Sequence, residues 1–187
     1  TRGRPFLLMR SHKALHPNKL QRADGTTQMI GEGGFIPAER HRSLYVNERP
    51  PRRRNYGVAP KGKPALERPI PGLQPLGPGT VTTDETIRDR LRMLAAVDEG
   101  LGRMLQDLEK QGVLDRTVVL VLGDNGFFYG EHGLSDERRL AYEESIRLPL
   151  LVRYPPMVRA GTAPAGLALT TDLAPTIVAL AGAPAMP

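Results

Sequence analysis

The chain has 187 residues, with 26 Lys and Arg against 20 Asp and Glu, for a formal net charge of +6. That balance points to an anionic partner, whether nucleic acid, an anionic membrane or a sulfated or phosphorylated substrate. The absence of cysteine excludes disulfides, thiolate metal sites and a cysteine nucleophile within these residues, and no apolar run reaches the roughly 18 residues that cross a bilayer.

The sequence opens at Thr1 and enters an apolar run at once, Pro5-Phe6-Leu7-Leu8-Met9, so residues 5–10 read as a buried strand ending near Ser11. With no initiator Met and no targeting segment, it reads as a piece of a larger protein. Residues 17–36 are polar and carry Gly25, Gly31, Gly33 and Gly34, which suggests a surface excursion. From Ile36 to about Pro78 the chain is dominated by Pro, Arg and Gly, as in Pro69-Ile70-Pro71-Gly72 and Gly77-Pro78-Gly79. We expect an irregular insertion at about 37–80 with no element longer than a turn or two, of the kind that is functional or disordered. Arg52-Arg53-Arg54 lies inside it beside Pro50-Pro51 and reads as a solvated basic loop. Only Tyr56 and, further off, Tyr45 offer a base-stacking surface, which supports nucleic-acid binding weakly.

The pattern changes at Thr82. Ile87, Leu91, Leu94, Val97, Leu101, Leu105 and Leu108 recur at three- and four-residue steps, which predicts a helix over about 84–111 with one buried stripe. Thr82 with Glu85 fits a capping box, and Gly112 fits the stop. Residues 117–122, Thr-Val-Val-Leu-Val-Leu, form an unalternating run expected of a central parallel strand buried on both faces. Residues 148–154 resemble a second strand, with Pro149 placing its start near an edge or bulge. Thr171 to Gly182 reads as a short capped helix closed by glycine. Helix, buried strand, loop, strand and helix imply an α/β layered fold.

The sharpest chemical feature is Gly123-Asp124-Asn125-Gly126, directly after the predicted buried strand. Ligands collect at the carboxyl ends of strands in open α/β sheets, and adjacent Asp and Asn offer one anionic and one neutral oxygen to a hard cation such as Ca²⁺ or Mg²⁺. The same four residues are also ordinary turn chemistry.

Two later blocks strengthen the metal reading: Gly130-Glu131-His132-Gly133-Leu134, then Tyr142-Glu143-Glu144-Ser145-Ile146-Arg147-Leu148-Pro149-Leu150. In that order and spacing, these blocks resemble the late signature of the sulfatase family within the alkaline-phosphatase-like superfamily. Ser11-His12-Lys13-Ala14-Leu15-His16-Pro17, Ala96-Val97-Asp98-Glu99-Gly100-Leu101-Gly102 and Asp172-Leu173-Ala174-Pro175-Thr176 are similar to further elements of that family. Only about 47–78 carries no element recognisably similar to that family.

The resemblance implies the C-terminal portion of a sulfatase catalytic domain, with a mostly parallel central sheet and flanking helices. It implies a sulfuric ester hydrolase, arylsulfatase-like, cleaving sulfate monoesters of a small molecule or glycan. Asp124 and Asn125 would belong to a metal site, normally Ca²⁺ and sometimes Mg²⁺. His16 would contact the sulfate ester and protonate the leaving alkoxide. Arg138 stands where the family has its active-site lysine, keeping the charge while changing a point ammonium for a planar fork; Arg139 would serve if the loop is shifted by one. Lys13 would add positive potential to the substrate site. His132 would order its loop or face substrate, while Glu143, Glu144 and Arg147 suit internal ion pairs and packing.

The family's paired aspartates and its Cys- or Ser-x-Pro-x-Arg motif, whose first residue becomes formylglycine, do not occur in these residues, so the expectation is that this polypeptide is inactive alone. Alternative readings are a phosphonate or phosphate monoester hydrolase of the same superfamily, a catalytically inactive binding or scaffold homologue, and a nucleic-acid binder using Arg52 to Arg54.

Overall fold

The long helix forms where the pattern predicts it, over Asp84–Lys110 (α2), in a computed structural model that describes residues 6–30, 34–135 and 140–184. Its N-cap is Thr83 rather than Thr82: the Thr83 hydroxyl accepts from Thr86 N–H at 3.2 Å. Thr82 is held outside the helix, its N–H donating to Tyr129 O (2.9 Å) and its carbonyl accepting from the Tyr56 hydroxyl (3.1 Å). Glu85 therefore does not close a box and pairs with Arg88 and Arg92. At the other end Gly112 takes φ 65°. Gly112 N–H bonds Glu109 O at 2.8 Å and Val113 N–H bonds Leu108 O at 3.0 Å, the paired closure of a Schellman stop.

Of the predicted stripe α2 fully buries Ile87 alone, while Leu91, Val97, Leu101, Leu105 and Leu108 are half-buried. Ile87, Arg90, Arg92 and Met93 are covered, all in the N-terminal half, whereas Leu94 is 45% exposed. A leucine stripe is fully buried only when another layer lies on it, and the described residues complete that layer over the first turns alone. Arg92 is accommodated by Glu85 (2.5 Å), Asp89 (2.7 Å) and Leu44 O (2.8 Å).

Before α2, residues 6–10 are neither strand nor buried, with Leu7 at 75% and Met9 at 86% exposure. Strand geometry needs a hydrogen-bonding neighbour, and the described residues bring none to this run. The polar excursion at 17–36 contains a short hairpin instead of loop alone: Lys19–Gln21 (β1) pairs antiparallel with Thr27–Met29 (β2). Asp24 accepts from Thr26 N–H, and Gly25 at φ 82° supplies the left-handed position that turns the chain. From 37 to 80 the chain is irregular as expected, with the single turn Pro64–Glu67 (α1) and two short 3-10 turns at Glu39–His41 and Pro78–Thr80.

Val119–Leu122 (β3) and Leu150–Arg153 (β4) form the second strand pair, with Val119 opposite Arg153 and Leu122 opposite Leu150. The pair is antiparallel, and no parallel pairing occurs among the described residues. A parallel return needs a crossover element spanning the sheet. The connection holds one helical turn, Glu143–Ile146 (α3), and brings β4 back in the opposite sense. Nor is β3 buried on both faces; Val119 to Val121 are half-buried and Leu122 is 44% exposed. The chain closes with Leu173–Leu180 (α4), led in by a 3-10 turn at Thr170–Asp172 and stopped at Gly182, φ 66°. The described core is small: Ile87, Met93, Leu134 and the fully buried Phe128, whose ring meets Tyr142 edge-on at 5.9 Å. None of the described helices is long and apolar enough to cross a membrane.

The insertion is fastened to α2 by charge. Glu99 receives Arg40 at 2.7 Å and the buried His41 Nε2 at 2.6 Å. The Arg40 guanidinium first, then His41, hold the Glu99 carboxyl down at about 2, against an ordinary value of 4.5. Because the folded-state value lies below that of the unfolded chain, this contribution is complete above about pH 4.5 and is lost as pH falls toward 2. Glu99→Gln is expected to flatten that acid loss. Melting curves of wild type and variant across this window check it, and equal pH slopes would remove Glu99 from the account.

Candidate functional site

Asp124 and Asn125 stand immediately beyond the carboxyl end of β3, as the strand-then-turn pattern requires. Asn125 N–H donates to Asp124 Oδ1 at 2.9 Å, and the Asn125 amide nitrogen donates to Gly126 O at 2.7 Å. The second bond fixes the amide so that its oxygen, the atom suited to a cation, is the one left over. Both side chains line a groove of about 410 Å³ with Ser145 and Ile146 of α3, Pro149 before β4, and Leu169, Thr170 and Leu173 around α4. As a cation site the pair fits in donor chemistry but supplies only two of the six to eight oxygens that calcium takes. Among the described residues there is no group of three or more His, Cys, Asp or Glu able to hold a metal.

The turn is clamped onto α3 through the backbone. Gly126 N–H donates to Ser145 O (2.8 Å) and Phe127 N–H to Glu144 O (2.9 Å). A Cβ at position 126 would collide with the Glu144 carbonyl oxygen, so the contact admits only glycine.

Arg90 is the hub between this segment and the His16 loop. The guanidinium is buried at 8% exposure, lies 3.9 Å over the Phe127 ring and 4.9 Å over Phe35, and donates to the Tyr129 hydroxyl at 3.0 Å. Its other contact is Leu15 O at 2.7 Å. A buried guanidinium resting on aromatic faces and neutral oxygens has its charge dispersed. Leu15 has φ 72°, a conformation a branched aliphatic rarely adopts, and the Arg90 bond holds it one residue before His16. Sequence reasoning assigned α2 to packing and passed over Arg90. Its signal was a cation three residues after Ile87, on what proves to be the covered face.

His16 and Lys13 share a tight turn, with His16 N–H on Lys13 O at 3.1 Å, and both side chains are exposed. His16 Nδ1 lies 2.9 Å from Pro17 O. A carbonyl can only accept, so Nδ1 carries the proton and Nε2 is the nitrogen left for chemistry. No described contact joins His16 or Lys13 to Asp124 or Asn125, and neither lines the groove. The link runs through Arg90, Phe127 and Tyr129.

His132 sits in a separate cluster. It takes φ 57°, its N–H donates to Asn55 O at 2.9 Å, and its ring stacks on Tyr142 at 4.5 Å. Its Nε2 lies 3.0 Å from the Asn55 amide nitrogen and 4.0 Å from Glu144 Oε2. Glu144 also accepts from the Asn55 amide (3.0 Å) and from Arg53 (3.4 Å). Burial pushes the Glu144 carboxyl up, but the Asn55 amide first, then its own backbone N–H and the charge of Arg53, bring it below the ordinary value. Asn55 and Tyr56 thus carry the insertion onto the Gly-Glu-His-Gly loop, where Gly57 N–H meets Gly130 O at 2.7 Å and Tyr56 bridges Glu131. The sequence marked Tyr56 only as a stacking surface for bases and did not mark Asn55, since neither lies in a motif block. The basic triplet is largely absorbed here: Arg52 pairs with Asp84 and lies over Tyr56, and Arg53 pairs with Glu144. Arg138 and Arg139 lie outside the described residues.

The family model for sulfatases matches residues 3–183. The chain belongs to the sulfatase family. It is 46% identical over 96 residues to an N-acetylglucosamine-6-O-sulfatase of Bacteroides thetaiotaomicron, covering 51% of this chain and 17% of that protein. It is 36% identical over 156 residues to an arylsulfatase of Volvox carteri, covering 79% and 24%. A solved structure of a protein in complex with its substrate D-glucosamine-2-N,6-O-disulfate superposes with a TM-score of 0.52 at 43% identity, over 55% of this chain and 20% of that one. This sulfatase chain therefore spans about a quarter or less of the relatives named. Its hairpins and helices are those of a partial α/β domain. A metal ion and formylglycine are general to the family.

Proposed function

We propose that this chain is the C-terminal portion of a sulfatase catalytic domain, with the insertion at 37–80, and that the protein containing it hydrolyses sulfate monoesters. The reading is carried by one observation: an Asp-Asn pair at the carboxyl end of β3, lining a groove, inside a stretch that the sulfatase family matches over 3–183. Asp124 and Asn125 would hold a divalent cation, Ca²⁺ or Mg²⁺, which when bound supplies positive charge to a sulfate oxygen. The hydrated formylglycine nucleophile would come from residues outside this sequence, as would the remaining metal ligands and the strands that extend β3 into a mostly parallel, alkaline-phosphatase-like sheet. His16 would act as the imidazolium, keeping the Nδ1 proton on Pro17 O and giving its second proton, on Nε2, to the departing alkoxide as the sulfur–oxygen bond breaks. Arg138, or Arg139, would grip the sulfate as a planar fork, and Lys13 would raise the positive potential around it. The names of the relatives, and the disulfated glucosamine bound in the solved structure, favour a sulfated sugar as substrate.

The full-length protein, assayed on matched sulfate and phosphate monoesters, is expected to turn over the sulfate ester faster. Faster phosphate turnover would make it a phosphohydrolase of the superfamily, and no turnover of either would make it a binding homologue.

A further inference from the structure

His132 is an odd residue to find with a positive φ, because an L side chain there is strained. What keeps it is Asn55, which meets both its backbone and its ring. The orientation of the Asn55 amide is decided by Glu144. An ionised carboxylate only accepts, so the amide nitrogen must face it, as it does at 3.0 Å from Oε1. One hydrogen of that nitrogen serves Glu144, and the other is directed at His132 Nε2, with 3.0 Å between the two nitrogens. A nitrogen that receives a hydrogen bond carries no proton. The neutral imidazole therefore has its hydrogen on Nδ1, the polar atom that neither Asn55 nor Glu144 engages, on a side chain that is 27% exposed. The Tyr142 ring, 4.5 Å away and tilted 32°, keeps the imidazole from swinging out of this plane.

We propose that Asn55 is a positioning residue that holds His132 as the Nδ1–H tautomer, making it a neutral hydrogen-bond donor to an oxygen of the sulfated substrate. This rests on the sulfatase reading above for the identity of the substrate, but not for the tautomer. It gives the Pro/Arg/Gly-rich insertion a part in the site: a segment without regular structure delivers one amide that decides which edge of a histidine donates. Tautomer selection by the hydrogen bond made at the other ring nitrogen is the general way in which an imidazole is set as donor or acceptor.

The test uses full-length protein labelled with ¹⁵N-histidine, with the His132 signals assigned by their loss in His132→Asn. Two-bond nitrogen–proton correlation at neutral pH is expected to show His132 protonated on Nδ1 alone. In Asn55→Ala the proton moves to Nε2, where the Glu144 carboxylate, 4.0 Å away, becomes the nearest acceptor. The kinetic counterpart separates donor from scaffold. An asparagine at 132 places its amide where Nδ1 stands, and a glutamine places it near Nε2. His132→Gln should raise KM about tenfold more than His132→Asn does, the size of one hydrogen bond to a charged group.

The wild-type spectrum needs no variant: Nε2–H or imidazolium there overturns the proposal, as does a tautomer unchanged in a folded Asn55→Ala. Equal KM values for the Asn and Gln variants remove the donor role. A wild type that turns over no sulfate ester sinks the functional reading while leaving the tautomer result standing. Turnover with the wrong tautomer sinks this inference alone.

Discussion

Asp124→Asn lowers kcat/KM of the full-length protein for a sulfate ester by about a thousandfold, roughly 4 kcal/mol of transition-state stabilisation, as expected for an anionic metal ligand. Asp124 is the only charged member of the donor pair, and replacing its carboxylate by an amide removes that charge while keeping the shape. Stability should scarcely change. Asp124 is exposed, and its one described bond, from Asn125 N–H at 2.9 Å, can be accepted equally by an amide oxygen. Calorimetric titration with Ca²⁺ and Mg²⁺ is the companion measurement, and the variant should lose affinity for whichever ion the wild type binds. Activity within threefold of wild type, or unaltered cation affinity, would remove Asp124 from the metal site and return the turn to a purely structural role.

Arg90→Ala is the substitution with the largest expected effect on folding. It removes two hydrogen bonds and the stacking on Phe127, and it leaves Leu15 O and the Tyr129 hydroxyl without their donor. Summing two bonds and a desolvated cation–π contact gives a loss of about 3–4 kcal/mol. Arg90→Lys separates charge from shape: an ammonium retains the charge but cannot span Tyr129 and Leu15 at once, so more than half of the loss should persist. Denaturation of the full-length protein measures both. Since Leu15 at φ 72° is pinned by this bond, limited proteolysis should also cut faster at residues 12–18 in the alanine variant. A change below about 0.5 kcal/mol, with unaltered cleavage, would show that Arg90 is a passenger.

The long helix, its glycine stop, the positions of β3 and β4 and the closing helix were legible in the sequence because each is coded by neighbours along the chain. Periodicity, a β-branched run and a glycine past the last turn are local signals. The Asp124-Asn125 pair was legible for the same reason, as a turn directly after a strand. The errors have a common cause. Residues 6–10, Leu94 on the α2 stripe and the run at 117–122 are as apolar as buried elements, but apolarity states only that a surface wants cover. It does not say that the cover lies within these 187 residues, and Leu7, Leu94 and Leu122 are exposed. The cap moved from Thr82 to Thr83 because Tyr129, some 47 residues on, ties Thr82 into an extended backbone, a pairing no local rule contains.

By itself, then, the sequence determined the family, through blocks ordered as sulfatases order them, and placed an Asp-Asn turn at a strand end. Only the tertiary structure decided what holds those blocks in place. Arg90 of α2 reaches Leu15 some 75 residues away, and Asn55 of an unpatterned insertion reaches His132 some 77 residues away. Contacts across such distances depend on where the backbone returns in space, and a single polar side chain in a loop has no periodicity to announce it.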